Sequence, residues 1–461
     1  MRIIEKTNGA LNNFLWGPFG LFLIIGTGAF FTARLRGFQI TEVKGWLFGT
    51  AKAFLKRRGD GVSPFSALCT ALAATVGVGS IVGVASALML GGPGAVFWMV
   101  AASFFSMATA YAENALGAKY ATKNKKGERL GGPMYYLKDG FKNRRLGRVL
   151  ALLFSAFTVF ASFGIGNAVQ INAIVTNLQR TFPRENGSSS LLIGLVLTAL
   201  LGLVILGGIK RIAAVTERIV PFMVVGYIAG ALLLIFMNAE RIVPAACSVF
   251  RHAFSARSFG GGTLGNALMW GVRRGVFSNE AGLGSTVIAN CAAEHKSQRE
   301  QGFFGVFEVF IDTTVICTVT AFLILCSGLV DLKSGAVLTG ALHTTLVSEA
   351  FSLCFGEGAG LFVTAALCFF AFSTVVGWSY YGEKAWEFLF GTGAVFVYKA
   401  VFVGFTVVGA VVTPSLAFSL SDTANALMML PNLFGVLALY TEVAPIKLGK
   451  REKGKRSQKT I

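Results

Sequence analysis

Long apolar segments recur along the whole chain, separated by shorter stretches that hold most of its charged residues. A helix needs about 20 mainly apolar residues to cross the hydrocarbon core of a bilayer. The first such segment is followed by a basic stretch and has no clear cleavage site, so it is a span and no signal peptide. The pattern predicts eleven membrane-spanning helices, at 14–33, 62–89, 94–118, 149–178, 190–209, 213–237, 262–290, 303–328, 358–382, 393–413 and 415–440.

Composition agrees with a membrane protein and disfavours other classes. Apolar residues make up 54% of the chain and charged residues only 14%, against about 25% charged residues in soluble domains. Soluble enzymes, nucleic-acid-binding proteins and disordered scaffolds are therefore poorly supported. The seven cysteines lack the paired spacing of a metal site and mostly lie in apolar segments, so we expect them to be core residues.

The net charge of +19 is divided unevenly between the two sets of loops. Thirty of the 41 Lys and Arg residues fall in alternate connections, above all in 34–61, in 119–148 and in the tail 441–461. Because basic loops stay in the cytoplasm, the chain is predicted to be a multi-pass protein of the cell membrane, with its N-terminus outside and its C-terminus inside. Anionic lipids explain basic segments beside spans better than RNA does, so no nucleic-acid partner is expected.

Two of the predicted spans contain residues that interrupt helices. Gly77-Val-Gly-Ser80 lies in the second span and Gly282-Leu-Gly-Ser285 in the seventh, and each span opens a block of five. Interrupted helices at matching places in two halves are typical of secondary transporters with inverted repeats. The alternative is that small residues only allow two helices to cross closely.

The pattern therefore predicts an all-α membrane protein with a 5+5 inverted repeat. A broken helix exposes N–H groups that suit a carboxylate and C=O groups that suit Na⁺. The predicted divisions are 1–61 (peripheral helix and basic loop), 62–237 and 262–440 (the two five-helix repeats) and 441–461 (basic tail).

Several segments of the chain are similar to one known family of carriers. The most specific is Arg274-Gly-Val-Phe-Ser-Asn-Glu-Ala-Gly-Leu-Gly-Ser285, an unusual polar and glycine mixture inside a span. With these segments the chain resembles the alanine or glycine:cation symporter family, sodium-coupled carriers of small neutral amino acids. The resemblance implies a fold of the leucine-transporter type, with 14–33 as one extra peripheral N-terminal helix. The other segments are 75–85, 92–98, 131–137, 207–212 and 370–378.

The resemblance implies roles for residues of the first broken helix and of the ninth span. Amides around Gly77 and Gly79, beside Thr75, would bind the substrate carboxylate. The sodium ligands would be the carbonyls of Ala73, Val76 and Phe370 with the hydroxyls of Ser373 and Thr374, and Thr374 would also face the substrate. Adjacent hydroxyls suit a hard cation, although each hydroxyl could instead bond to a carbonyl of its own helix.

Further pocket residues are expected on three other segments. Asn167 and Gln170 are neutral amides three residues apart, suited to a zwitterion or, alternatively, to interhelical hydrogen bonds. Trp378, one turn beyond Thr374, is either a steric limit on the substrate side chain or an ordinary packing residue. The pocket would be completed by Phe163, Val276, Phe277 and Asn279.

Eight of the ionisable residues inside the predicted spans are singled out, because such residues are candidates for function. We interpret several of them as ion pairs, with Glu280 near Arg273 and Arg274 in sequence and Lys399 one helix before Asp422. The others are Glu113, Glu308 and Asp312.

The sequence thus favours symport of Na⁺ with alanine, glycine or a similar small neutral amino acid, by alternating access. The alternative on the same fold is an H⁺-coupled or differently selective carrier that uses Glu280, Glu308 or Asp312. A membrane enzyme is disfavoured because neither HExxH nor GxSxG occurs in the chain.

Overall fold

The chain is built almost entirely from helices. The computed structural model describes residues 2–53, 62–182, 189–254, 265–294, 297–340, 343, 345–356 and 358–446. The part of the basic tail from 447 onwards and the basic residues Lys56, Arg57 and Arg58 lie outside the described residues.

The helices of the first half begin and end as follows: α1 Arg2–Leu15, α2 Pro18–Arg34, α3 Phe38–Thr41, α4 Gly49–Ala53, α5 Pro64–Thr75, α6 Val84–Gly91, α7 Gly94–Lys119, α8 Pro133–Gly140, α9 Arg144–Phe163, α10 Val169–Thr181, α11 Ser189–Ile205 and α12 Gly208–Met237. Those of the second half are α13 Ile242–Ala253, α14 Asn266–Asn279, α15 Thr286–Asn290, α16 Gln298–Val309, α17 Thr318–Cys326, α18 Leu346–Phe355, α19 Ala359–Phe390, α20 Val395–Val411 and α21 Pro414–Ala438. Short 3₁₀ turns lie at Ala239–Arg241, Thr392–Ala394 and Tyr440–Glu442.

Two further kinds of element interrupt or connect these helices. Wider, π-helical turns lie at Lys44–Phe48, Gly79–Gly83, Gly164–Ala168 and Phe310–Cys317. Two short antiparallel strands, β1 (Thr122–Lys123) and β2 (Arg129–Leu130), form a hairpin between α7 and α8.

The spans predicted from the sequence agree in large part with the helices. Within the described residues, seven helical stretches are long and apolar enough to cross a membrane, and the bent pair Pro64–Thr75 with Gly79–Gly91 makes an eighth when counted as one span. These eight correspond to eight of the eleven predicted spans. The other three predicted spans, 190–209, 262–290 and 415–440, fall on α11, on α14 with α15, and on α21, and remain predictions.

The first interruption lies between α5 and α6. Ser63 caps α5 by accepting a hydrogen bond from the Ser66 amide at 3.0 Å, and Pro64 occupies the first turn, where no amide donor is needed. The helix ends at Thr75 because Val76 has φ −78° and ψ 77°, outside the helical region. The chain then resumes at a different angle, bent by 47°.

The second interruption is wider and confirms the other predicted break. α14 ends at Asn279, and Glu280 is one of two described non-glycine residues with positive φ, at 56°. Gly282 and Gly284 follow with φ of 90° and 77°, values that glycine adopts without strain. The predicted span 262–290 is therefore two helices joined by six non-helical residues, 280–285.

Both interruptions are buried inside the helical bundle. Backbone outside a helix cannot face lipid, because no water is present there to satisfy its polar groups. α19 packs directly on α5, where a Cβ on Gly377 would lie 2.9 Å from the backbone nitrogen of Ala74. This close approach brings the side chains of α19 to the first break.

Candidate functional site

The first break meets the middle of α19. The Thr374 hydroxyl donates a 2.8 Å hydrogen bond to the carbonyl of Ala73, in the last turn of α5. Gly77 fits beside it only because it lacks a side chain, since a Cβ there would lie 2.3 Å from the Thr374 Oγ1. Two of the predicted cation ligands, on helices about 300 residues apart in sequence, are thus in direct contact.

Ser373, Phe370 and Val76 complete the predicted set of cation ligands. The Ser373 hydroxyl donates to the Phe370 carbonyl at 2.9 Å, within its own helix. A hydroxyl bonded to a carbonyl of its own helix was the alternative to a cation ligand. Here, however, the Ser373 hydroxyl oxygen and the Phe370 carbonyl oxygen are both predicted cation ligands. Val76 is the first residue outside α5 and is fully buried.

Gln170 reaches the same break from α10. Its Oε1 accepts from the Val78 amide at 3.3 Å, and its Nε2 donates to the Ile165 carbonyl at 3.0 Å. A Cβ on Gly77 would lie 3.3 Å from the same Oε1. Gln170 therefore lies beside Gly77, opposite an amide of the interrupted segment.

The two broken helices touch each other at Gly79. A Cβ there would lie 3.5 Å from Cα of Ser278 and 3.6 Å from the Phe277 ring, which is ordinary contact. Phe277 is buried and lies 5.4 Å beneath the Arg274 guanidinium. Val276 is fully buried in the same turn.

Three predicted pocket residues point elsewhere. Asn167 donates to the Phe402 carbonyl on α20 at 2.8 Å, and the Phe163 ring packs against aromatic rings of α20, 5.6 Å from Phe402. Thr75 bonds back to carbonyls of α5, at 3.3 Å to Ala71. Asn167 and Gln170 do not bond to one surface, because the π-helical turn Gly164–Ala168 alters the angular spacing that an α-helix would give them.

Trp378 and Asn279 lie beside the second break. The Trp378 indole N–H donates to Glu280 Oε1 at 2.8 Å, while the Ser285 hydroxyl donates to the other oxygen at 2.5 Å. Trp378 is fully buried against Gly166, where a Cβ would lie 2.5 Å from that of the tryptophan. Asn279 donates to the Thr313 hydroxyl at 3.0 Å.

The ion pairs differ from those suggested by proximity in sequence. Asp422 pairs with Arg273 at 2.5 Å and lies 3.6 Å from Arg274, whereas Lys399 pairs with Glu383 at 3.0 Å. Glu280 is bound by neutral donors instead of the arginines, because the left-handed turn at Glu280 directs the chain away from α14.

Sequence reasoning missed a group of hydroxyls around Asp312. The Ser80 hydroxyl donates to Asp312 Oδ1 at 2.6 Å and lies 3.0 Å from the Ser278 hydroxyl, while Thr313 donates to Oδ2 at 2.9 Å. Each residue belongs to a stretch already noted, Ser80 and Ser278 to the interrupted helices and Asp312 to the intramembrane carboxylates. Their proximity could not be derived from spacing along the chain, since Ser278 lies about 200 residues after Ser80, and Asp312 lies 34 residues after Ser278.

This geometry defines a class of protein. Two buried broken helices present amides, carbonyls and hydroxyls at the centre of an apolar bundle, an arrangement suited to a zwitterion and a small cation. The fold is that of leucine-transporter-like carriers. The structure of MhsT in complex with L-phenylalanine superposes with a TM-score of 0.58 at 13% identity, covering 84% of this chain and all of that one.

The chain belongs to the sodium:alanine symporter family, whose profile matches residues 1–460. The sodium/alanine symporter AgcS of Methanococcus maripaludis is 45% identical over 93% of both chains. The putative sodium/proton-dependent alanine carrier YrbD of Bacillus subtilis is 36% identical over 93% of this chain and 89% of its own. The protein is thus a multi-pass, cation-coupled amino-acid symporter and not an enzyme.

Proposed function

We propose that the protein carries alanine, glycine or a similar small neutral amino acid into the cell together with Na⁺. The observation on which this rests is the contact of the Thr374 hydroxyl with the Ala73 carbonyl, beside the side-chain-free Gly77. Oxygen ligands of this kind suit Na⁺. The cation would be held by carbonyls of Ala73, Val76 and Phe370 and by the hydroxyls of Ser373 and Thr374.

The substrate would lie at the junction of the two broken helices. Its carboxylate would face the backbone amides of residues 77–79, where the chain leaves the helix and where Gln170 already accepts from one amide. Phe277 contacts this segment, and Val276 and Asn279 lie on the same turn of α14. Trp378, held by Glu280, would limit the size of the substrate side chain.

The full architecture that we propose has eleven spans. The segments 62–237 and 262–440 would form the two inverted repeats, with 1–61 as a peripheral helix and basic loop and 441–461 as a basic tail. The excess of basic residues in alternate connections supports an outside N-terminus and a cytoplasmic C-terminus. Transport would proceed by rocking of the broken helices against the other helices.

The test is uptake of labelled amino acids into proteoliposomes that contain the purified protein. An inward Na⁺ gradient should drive alanine and glycine accumulation, and Thr374→Ala should raise the Na⁺ concentration needed for half-maximal uptake by about ten-fold, as expected for one lost ligand of a charged group. Thr364→Ala is the matched control, because Thr364 lies on the same helix but bonds to Thr181. Unchanged sodium activation in Thr374→Ala would contradict the assigned cation site.

A second candidate is H⁺ coupling. Among the described residues, no Lys or Arg nitrogen lies within 4.0 Å of the buried carboxylates Glu280 and Glu308. A carboxylate buried without a cation is stabilised by binding a proton. Uptake driven by a pH gradient in the absence of Na⁺ would support this candidate over sodium coupling.

A further inference from the structure

The Trp378 side chain is held at both of its ends. At one end it packs on Gly166, where a Cβ would lie 2.5 Å from the tryptophan Cβ and 2.8 Å from its Cγ. At the other end the indole N–H donates to Glu280 Oε1 at 2.8 Å. The side chain is fully buried, so the ring bridges the turn Gly164–Ala168 and the second break.

The three segments that meet at the indole also border the first break. Each contributes a residue that contacts residues 73–79, and this residue lies three or four positions from the contact with the ring. The pairs are Thr374 with Trp378, Gln170 with Gly166, and Phe277 with Glu280. The indole therefore closes one side of the space beside residues 77–79, where the substrate is proposed to lie.

Glu280 adopts an uncommon backbone conformation to make this hydrogen bond. Its φ of 56° lies in the left-handed region, which residues other than glycine adopt at a cost in energy. Its second carboxylate oxygen accepts from the Ser285 hydroxyl at 2.5 Å, across the interruption. Such a conformation persists only where the surrounding structure enforces it, and it is common at functional sites.

Other polar groups of the second break bond to neighbouring protein atoms. Asn279 Oδ1 accepts from the Ala281 amide at 3.0 Å, and the Gly282 amide donates to Glu113 at 3.0 Å. The Gly282 carbonyl accepts from Asn432 at 2.8 Å. Because these bonds fix the backbone of the interruption, the carboxylate of the residue between them is presented to the indole from a fixed position.

We propose that Glu280 is a positioning residue, which fixes the Trp378 indole so that the substrate site admits small side chains and excludes larger ones. This inference rests on the proposed transport of a small neutral amino acid and adds that the second break sets the selectivity. A fixed ring excludes a longer side chain because overpacking against it is unfavourable. An indole without its acceptor turns away from this position, since a buried N–H left unpaired is costly, and the larger side chain then fits.

The test is equilibrium binding of labelled alanine and leucine to the purified protein in detergent with Na⁺ present. Wild type should bind leucine at least about ten-fold more weakly than alanine. Glu280→Ala should lower this ratio of dissociation constants by about ten-fold, whereas Glu280→Gln keeps an acceptor oxygen and should retain the wild-type ratio. An unchanged ratio in Glu280→Ala, or an equal fall in Glu280→Gln, would overturn the positioning role.

A double-variant comparison shows whether Glu280 acts through the indole. Trp378→Phe removes the N–H and should lower the ratio as Glu280→Ala does, and the double variant should lower it no further. A further fall in the double variant would mean that Glu280 acts by another route. Trp386→Phe is the matched control, because Trp386 lies two turns further along α19 and donates to the Ala394 carbonyl at 3.0 Å; its ratio should equal that of wild type.

Two further measurements keep the outcome clear. Should Glu280→Ala fail to fold, Ser285→Ala removes one donor from the carboxylate and should lower the ratio by about three-fold; an unchanged ratio there would count against the inference. Alanine uptake is measured in parallel on wild type. Selective alanine binding without sodium-driven uptake would contradict the proposed symport alone, whereas sodium-driven uptake of alanine and leucine alike would contradict only the selectivity proposed for the indole.

Discussion

At the scale of single residues, Gly77 is the position where substitution is expected to be most informative. A methyl group there would lie 2.3 Å from the Thr374 hydroxyl oxygen, so Thr374 would have to leave the Ala73 carbonyl. Overpacking of this kind costs about 1–3 kcal/mol. We expect Gly77→Ala to weaken sodium activation of alanine uptake by about ten-fold or more, measured in proteoliposomes.

The chain offers a matched control two residues away. At Gly79 the same methyl group would be 3.5 Å or more from its neighbours, so Gly79→Ala should be accommodated without displacing Thr374. Adding Thr374→Ala to Gly77→Ala should restore thermal stability but leave sodium activation weak, because the clash and the ligand disappear together. Equal sodium activation in the two glycine variants would contradict the proposed role of this contact.

At the scale of elements, the N-terminal helix α1 is fastened to α21 by one polar face. Asn8 and Asn12 of α1 and Trp16, just beyond its end, follow at intervals of four residues. They donate to Ser419, Thr423 and the Asp422 carbonyl at 2.7, 3.2 and 2.8 Å. Asn12 also accepts from Arg273 at 2.6 Å. This small helix therefore supports the buried pair Arg273–Asp422.

We expect Asn12→Ala to loosen α1. The substitution leaves one guanidinium N–H with fewer acceptors and removes two hydrogen bonds, a loss of about 1–3 kcal/mol. The measurement is hydrogen exchange of residues 7–16 in detergent, which should become faster. Asn13→Ala is the control, because Asn13 is exposed, and exchange that is equally fast in both variants would show that the polar face does not fasten the helix.

The hairpin β1–β2 is connected to α19 by an ion pair whose strength depends on pH. Glu128 accepts from Lys384 at 2.9 Å. Burial raises the pKa of Glu128, but the hydrogen bond and charge of Lys384, with help from Asn124 and Lys126, outweigh burial and hold this pKa below its usual range. A carboxylate whose pKa is lower in the folded state stabilises that state above its unfolded pKa of about 4.3, and the stabilisation is lost as pH falls through the folded pKa.

Glu128→Gln should therefore lower the apparent melting temperature at pH 7 and make progressively less difference as the pH falls below about 4. The effect should be small, because the Glu128 side chain is 37% exposed. Glu294→Gln serves as the control: Glu294 is 3.9 Å from Arg129 and 84% exposed, so no such difference is expected. A melting difference for Glu128→Gln that does not shrink as the pH is lowered would rule out the charge as its cause.

Elements of this protein were easier to predict than the contacts between them. The interruptions at Gly77 and Gly282 were predictable because glycine clusters act locally on the helix that contains them. The pairing of Trp378 with Glu280 was not, because the two residues are 98 positions apart and meet only through the left-handed turn at Glu280. The turn Gly164–Ala168 likewise separated Asn167 from Gln170, and its local signal is the pair Gly164 and Gly166, spaced like Gly77 and Gly79.

At the scale of the whole molecule, alternating access requires that some helix contacts break while others persist. α5 touches α12 through the hydroxyls of Thr70 and Thr216, 3.1 Å apart. α10 touches α19 through those of Thr181 and Thr364, 2.7 Å apart. In the proposed mechanism the broken helix α5 moves against its neighbours, whereas α10 and α19 belong to the part that stays together.

Cross-linking the two pairs should therefore have opposite consequences. Cysteines at positions 70 and 216 would place two sulfurs within reach of a disulfide, and its oxidation should stop alanine uptake until a reductant is added. Cysteines at positions 181 and 364 should form the bond and leave uptake intact. The described native cysteines are all free, so oxidised wild type controls for their reaction. Undiminished uptake by a fully cross-linked 70–216 protein would mean that α5 and α12 move as one body, and the path to the first break would then have to open between other helices.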